Sequence, residues 1–215
     1  MRLLEAYTWI NIRFLLEGLW VTVQVALVAI SFSFILGIVL GVLRHIKVPI
    51  IHNVLTLTID IIRNLPLMLH IFIAYFALPQ IGIRLNVFWA AIAALTVFES
   101  AMISEIVRAG LKSVPKGQIE AGQSTGLNTM QIYGEIVMPQ AIKTMLPALV
   151  SQFISLIKDS SLATMIALPD LTHHAKVIYS QNTQAVLPIY LAMAVLYFII
   201  CYGLSRFSKK LETAY

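Results

Sequence analysis

Charged side chains are sparse in this sequence, and three of them stand where charge is costly. Glu99 interrupts an apolar run from Leu85 to Ser104, and Lys158 and Asp159 stand side by side inside another, Thr144 to Pro169. By helical rise from about Val87, where the span is read to begin, Glu99 lies roughly 18 Å inward, near the middle of a ~30 Å hydrocarbon layer. A carboxylate at that depth either belongs to a path for a polar solute, or is kept neutral by desolvation or paired with a neighbouring helix for packing. Lys158 and Asp159 pose the same choice between lining or gating a route and joining a structural ion-pair network. Adjacent side chains diverge by about 100° on a helix, so each wants a partner elsewhere, and Glu99 is the candidate for Lys158. On a route, an ammonium or guanidinium would favour Glu99, and an α-carboxylate would favour Lys158.

Catalytic chemistry finds no support. There is no activated nucleophile, no glycine-rich phosphate cradle and no cofactor fingerprint, so the chain is expected to bind no cofactor and to hydrolyse no ATP itself. His173 and His174 are adjacent, project in different directions and lack a third ligand at metal spacing, so no metal site is expected. Cys201 is the one cysteine, which excludes an intrachain disulfide.

The elements that must hold these charges follow from composition. The 215 residues are 59% apolar and 12% charged, with a mean hydropathy of +0.86. That is a polytopic membrane protein, all-α, read as one domain over residues 1–215 with five spans at about 18–43, 64–83, 86–110, 141–168 and 186–207. The first run is too long for a signal peptide and has no small-residue cleavage site, so it is expected to stay. Arg44, Lys47, Arg108, Lys112, Lys116, Lys143, Arg206, Lys209 and Lys210 fall in alternate connections, and Arg2, Arg13, Arg84 and Lys176 in the others. This bias places the N-terminus outside and the C-terminus in the cytoplasm, and it explains the net charge of +5 by topology, with no nucleic acid partner.

Along the chain, residues 1–17 carry Tyr7 and Trp9 and read as a segment lying along the outer surface. Gly37 and Gly41 form a small-xxx-small pair, for packing within the chain or at a dimer face. From Arg44 to Pro79 a single helix would reach ~50 Å, more than a bilayer, so part of it must lie in the interface or project below it. Asp60 and Arg63 are spaced for a local pair, Asn64 offers an amide near the membrane, and Pro66 marks a kink or a first turn. For Arg63 and Asn64 a helix start and a pathway role are both open. His70 reads as a hydrogen-bonded packing histidine, and Glu105 with Arg108 as a structural brace. Pro147 should kink or break its helix.

Between the apolar runs lies a polar loop at about 115–139. Pro115 ends one helix, a short helix starts near Lys116 with Glu120 in its first turns, and Ala121 and Gly122 give it a thin face. Gly126 suits a left-handed C-terminal closure. Asn128 and Gln131 form a capping box that opens a second short helix, which Pro139 is expected to stop.

The spacing of Glu120-Ala121-Gly122, Gly126, Ile136 and Met138-Pro139 resembles the cytoplasmic loop by which permease subunits of bacterial ABC importers engage their ATPase subunits. Gly122 and Met138 depart from the family's Ala and Leu. Ser104 to Arg108 resembles the segment leading into that loop. Gln152 to Leu162, QFISLIKDSSL, resembles the polar amino acid branch, whose Arg-Gly-Thr-Pro-Leu-Leu stands where this chain has Arg63-Asn64-Leu65-Pro66-Leu67-Met68. The resemblance implies a type I ABC importer permease (MetI-like) fold in the bacterial cytoplasmic membrane. It also implies two ATP-binding cassette subunits carrying ATP and Mg on the cytoplasmic side, an extracytoplasmic binding protein and, since five helices are few for a pathway, a second permease, identical or related. The implied function is import of a polar or charged L-amino acid, with another small zwitterion such as an opine or a sulfur amino acid as the alternative. A self-sufficient secondary carrier would need inverted repeats that are not visible. A membrane enzyme would need Glu99 near histidines that fall on opposite sides of the membrane.

Overall fold

The structure, a computed structural model, describes residues 6–46 and 49–212, and side chains as far as Arg206. Arg2, Lys47 and the side chains of Lys209 and Lys210, used in the charge count, lie outside the described residues. Among the described residues every regular element is helical. Four runs are long and apolar enough to cross a membrane: Trp9–Ile46, Val87–Ser113, Thr129–Ile166 and Thr183–Arg206. A fifth is the bent pair Pro49–Asn64 and Leu67–Ile81, whose halves meet at 102°. The chain is an all-α polytopic membrane protein.

Helix α1 (Trp9–Ile46) and helix α4 (Val87–Ser113) form the spine. A Cβ on Gly37 would fall 2.5 Å from Ile103 Cγ2, and one on Gly41 2.6 Å from Val107 Cβ. The two glycines therefore serve contact within the chain, and their rising register makes α1 and α4 parallel. Packing around this seam buries Val25, Ala29, Ala91, Leu95 and Ile71. Small residues at the contact let two backbones approach where no hydrophobic force distinguishes helix from lipid.

Two sequence expectations about helix ends are corrected. Residues from Trp9 to Glu17 do not lie apart along a surface; they are the first turns of α1, which at 38 residues reaches about 57 Å. Nothing between Trp9 and Gly18 carries a break signal, so the helix continues. Pro66, in contrast, separates α2 (Pro49–Asn64) from α3 (Leu67–Phe72) as an extended residue at φ −58° and ψ 134°. A helical conformation is disfavoured for the residue before a proline, and Leu65 supplies the break. Beyond α3 the chain widens into a π turn, Ile73–Ala77, then tightens through a 3₁₀ turn, Leu78–Ile81, and Gly82 closes it at φ 90°.

Asn86 opens α4 by accepting from the Trp89 N–H at 2.9 Å. After α4 come α5 (Lys116–Ser124) and α6 (Thr129–Gln131), then a π turn, Ile132–Val137, and α7 (Met138–Asp159). The expected stop at Pro139 does not occur. Pro139 lies in the first turn of α7, where a missing N–H costs least, and the preceding π turn absorbs the change of register. Pro147 is likewise carried inside α7. A 3₁₀ turn, Ser160–Ile166, ends this run at Ala167, which has φ 61°. The connection after it folds into α8 (Leu171–Gln181), and α9 (Val186–Glu212) completes the bundle.

Candidate functional site

The segment from Pro115 to Pro139 forms an elbow. Pro115 in extended conformation starts α5, and Glu120 and Ala121 on that helix are exposed. Gly126, at φ 83° and with no atom within 4 Å of where a Cβ would stand, closes the turn as its position in the sequence predicts. The capping box also forms: the Gln131 N–H donates to Asn128 Oδ1 and the Asn128 N–H donates to Gln131 Oε1, both at 3.0 Å.

Gly122 corrects the expected thin docking face. It points into the chain, where a Cβ would meet Ile136 Cδ1 at 2.9 Å and Ile132 Cγ1 at 3.0 Å. The small residue lets α5 sit directly on the turn that leads into α7. Ile136 is therefore half-buried beneath α5, while Pro139 is exposed at the start of α7. At the other side His45 Nε2 lies 3.2 Å from the Tyr133 hydroxyl, tying the end of α1 to the elbow.

Above the elbow, Glu105 gathers three guanidinium groups. Arg44 Nη1 donates to Glu105 Oε2 at 2.9 Å, Arg63 Nη1 stands 3.8 Å from the same oxygen, and Arg108 holds both carboxylate oxygens. The Glu105–Arg108 brace thus exists but is one part of a junction joining α1, α2 and α4. The expected Asp60–Arg63 pair is replaced, because Arg63 reaches across to α4. The Asn64 amide is not free either: Nδ2 donates to the Asp60 carbonyl at 2.7 Å. His70 packs as expected, with Nδ1 donating to the Pro66 carbonyl at 3.2 Å and its ring edge-on to Phe98.

Deeper in the bundle Glu99 is fully buried. Its partner is not Lys158 but Gln152, whose Nε2 donates to Glu99 Oε2 at 2.8 Å; Oε1 has no hydrogen-bond partner among the described residues. Gln152 precedes Lys158 on α7 by six positions, so the two project from different faces, and Lys158 is exposed. Asp159 is half-buried, with the Ser155 hydroxyl and the charge of Lys158 as its neighbours. The structure therefore holds Glu99 in a buried α4–α7 brace, with the half-buried Asp159 within electrostatic reach of it, and leaves Lys158 exposed at the end of α7. Arg44 and Gln152 were missed as functional candidates from sequence; the excess of basic residues near Glu105 and the amide within QFISLIKD were the available signals.

A second junction is built by α8. The His173 N–H donates to Asp170 Oδ1 at 2.8 Å, the Leu171 N–H donates to Thr22 Oγ1 at 3.1 Å, and the His174 ring stacks on Phe14 at 3.8 Å while Nδ1 donates to the Phe14 carbonyl at 2.6 Å. Burial pushes the Asp170 carboxyl up to about 7. It lowers His173, with His174 and Lys176 adding to the effect.

Residues 33–214 match the family described as binding-protein-dependent transport system inner membrane component. Over 214 residues the chain is 50% identical to the probable glutamine ABC transporter permease protein GlnP of Bacillus subtilis (strain 168), covering 99% of this chain and 98% of that protein. It is 34% identical to the L-cystine transport system permease protein TcyB of the same organism, covering 91% of this chain and 83% of that one. A crystal structure of an amino acid ABC transporter with histidines superposes with a TM-score of 0.88 at 30% identity, covering 94% of each chain.

Proposed function

We propose, from the premise that this chain belongs to the family of binding-protein-dependent transport system inner membrane components, that it is a permease for a polar L-amino acid, with glutamine foremost. Permeases of this family are non-catalytic, and energy enters through partner ATPase subunits. In this reading two ATP-binding cassette subunits, with ATP and Mg bound to them, dock on the exposed side of α5 around Glu120 and Ala121. An extracytoplasmic binding protein delivers the solute at the α8 side, a second permease completes the passage, and the N-terminus is outside with the C-terminus in the cytoplasm.

The observation that carries this reading is the seating of α5 on the root of α7. Gly122 brings α5 against Ile132 and Ile136, and the same continuous run carries Lys158 and Asp159 at the end of α7. A push on Glu120 and Ala121 is transmitted through Ile136 and Pro139 into the helix that carries those charges. Gly126 keeps the elbow closed, because its left-handed turn costs a glycine little. The brace between Glu99 and Gln152 makes α4 move with α7. In this mechanism Lys158 and Asp159 contact the solute or gate its route. Glu99 sets the position of α7 until the brace opens, and Arg63 and Asn64 flank the cytoplasmic exit. The solute's α-carboxylate suits Lys158 and its ammonium suits Asp159.

The test is amino acid uptake and ATP hydrolysis in vesicles containing this chain and its copurifying partners, with and without Glu120→Lys. The expected result is an assembled, folded complex with coupled hydrolysis and uptake both lost. Unchanged uptake, or uptake with no ATPase present, overturns the assignment in favour of a self-sufficient carrier. The 34% identity to a permease named for L-cystine makes a sulfur amino acid the second candidate solute, and competition of glutamine uptake by cystine separates the two.

A further inference from the structure

Helix α2 runs across the bundle instead of along it. Near its start His52 Nδ1 donates to the Arg44 carbonyl at 3.0 Å, and near its end Arg63 stands 3.8 Å from the Glu105 oxygen that Arg44 itself holds at 2.9 Å. From position 52 to position 63 a helix advances about 16 Å. Both anchors are nonetheless tied to one level of α1 and α4. An axis parallel to the spans would carry Arg63 about three turns away from that level, so α2 must lie close to perpendicular to them. The 102° bend into Leu67–Ile81 requires the same from the other end, since that segment packs along α4 through Leu67, Ile71 and Ala74.

The faces of α2 differ in kind. Ile59, buried, sits on the side that carries His52 and Arg63 to α1 and α4. The polar side carries exposed Asn53 and half-buried Asp60, while the Thr56 hydroxyl is turned inward. Ile50, Val54, Leu57 and Ile61, spaced i, i+4, i+7 and i+11, form an apolar stripe with exposures of 79%, 59%, 64% and 52%. This stripe lies at the cytoplasmic end of the spans, level with a junction of three guanidinium groups, Arg44, Arg63 and Arg108, against the carboxylates of Glu105 and Asp60.

We propose that α2 is an in-plane membrane anchor, with its Ile50–Val54–Leu57–Ile61 stripe seated in the acyl chains of the cytoplasmic leaflet just beneath the headgroups. An amphipathic helix parallel to the surface buries its apolar side at this depth and keeps its polar side in water. Toward its end α1 also exposes apolar residues, Leu36, Val39 and Leu43. The net positive charge of the junction, with Arg63 and Arg108 partly exposed, matches the phosphates of that leaflet. As α2 is tied to α1 and α4 through Arg44 and Glu105, the leaflet becomes the fixed support against which those helices tilt. This inference rests on the permease reading only in placing the spans in a bilayer.

The experiment uses the complex with its ATPase subunits, reconstituted in lipid nanodiscs in a Cys201→Ser background. A fluorophore sensitive to polarity is attached at Leu57→Cys, at Ile61→Cys as a second site on the same stripe, and at Asn53→Cys as the water-facing control. Labels at 57 and 61 are expected to shift to the blue and to be quenched about twofold more by lipids brominated high on the acyl chain than by lipids brominated near its end, with the label at 53 unquenched. Blue-shifted labels that brominated lipids do not quench mean that a second permease covers the stripe, and they overturn the proposal. Water-like emission at 57 and 61 overturns it as well. Uptake is measured on the same samples: quenching without ATP-driven uptake counts against the transport assignment and leaves the placement of α2 standing.

Discussion

Replacing Asp170 by Asn should stabilise the protein at neutral and alkaline pH and remove the share of its pH dependence that this carboxyl contributes. Asp170 is fully buried at the N-cap of α8, and its one bonded oxygen, Oδ1, accepts from the His173 N–H. Oδ2 is buried with no partner among the described residues. Around it lie Thr172, Tyr197 from α9, and the neighbouring His173 and His174. Burial raises the carboxyl from 3.8 to about 7 in the folded chain. Between those values the folded state binds the proton more tightly than the unfolded one, so stability rises as pH falls through 7 and levels off below 3.8. The full gap corresponds to about 4 kcal/mol, and the portion between pH 8 and pH 5 to about 2.5 kcal/mol. Asn keeps the cap, because it accepts from the same N–H, and has no charge to bury. Thermal unfolding of the detergent-purified complex at pH 5 and pH 8 is the assay. The midpoint of the native chain relative to Asp170→Asn should rise by about 5–10 °C from pH 8 to pH 5, with the variant at least as stable as native at pH 8. Parallel pH profiles for the two chains, or a variant less stable than native at pH 8, refute the argument that a buried carboxylate is the cause.

Gly41→Ala places a methyl 2.6 Å from Val107 Cβ and 2.8 Å from the Ser104 carbonyl, and the seam must open at a cost of about 1–3 kcal/mol, read as a lower unfolding midpoint. Glu105→Gln leaves the buried Arg44 guanidinium without its counter-charge and should cost about 3 kcal/mol in the same measurement, whereas Arg108→Gln, which spares the Arg44 contact, costs less. Gly126→Ala meets no atom within 4 Å, so its penalty of about 1–2 kcal/mol is purely that of a left-handed backbone. It should reduce ATP hydrolysis coupled to uptake more than it reduces the unfolding midpoint; an equal loss of both contradicts an elbow that transmits force.

Local chemistry was readable in the sequence because it depends on residues a few positions apart. Apolar runs of span length, the capping box of Asn128 and Gln131, the left-handed Gly126 and the start of α5 after Pro115 all follow from spacing and backbone preference, and so does the break at Pro66. So was the family, since the elbow and the QFISLIKD segment keep their order of residue types. Partner choice was not readable. Glu99 had Lys158 as its expected partner, and Arg63 had Asp60 three positions away. Only the packing of α4 against α7, and of α2 across α1 and α4, decided for Gln152 and Glu105. The same holds for Gly122, whose missing side chain serves Ile132 and Ile136 within the chain. A helix continues through a π turn and an N-terminal proline when tertiary contacts compensate for the irregular bonds, which is why Pro139 did not end the run. Spacing along the chain fixes what a residue can do locally, and the relative placement of helices selects which of its possible partners is within reach.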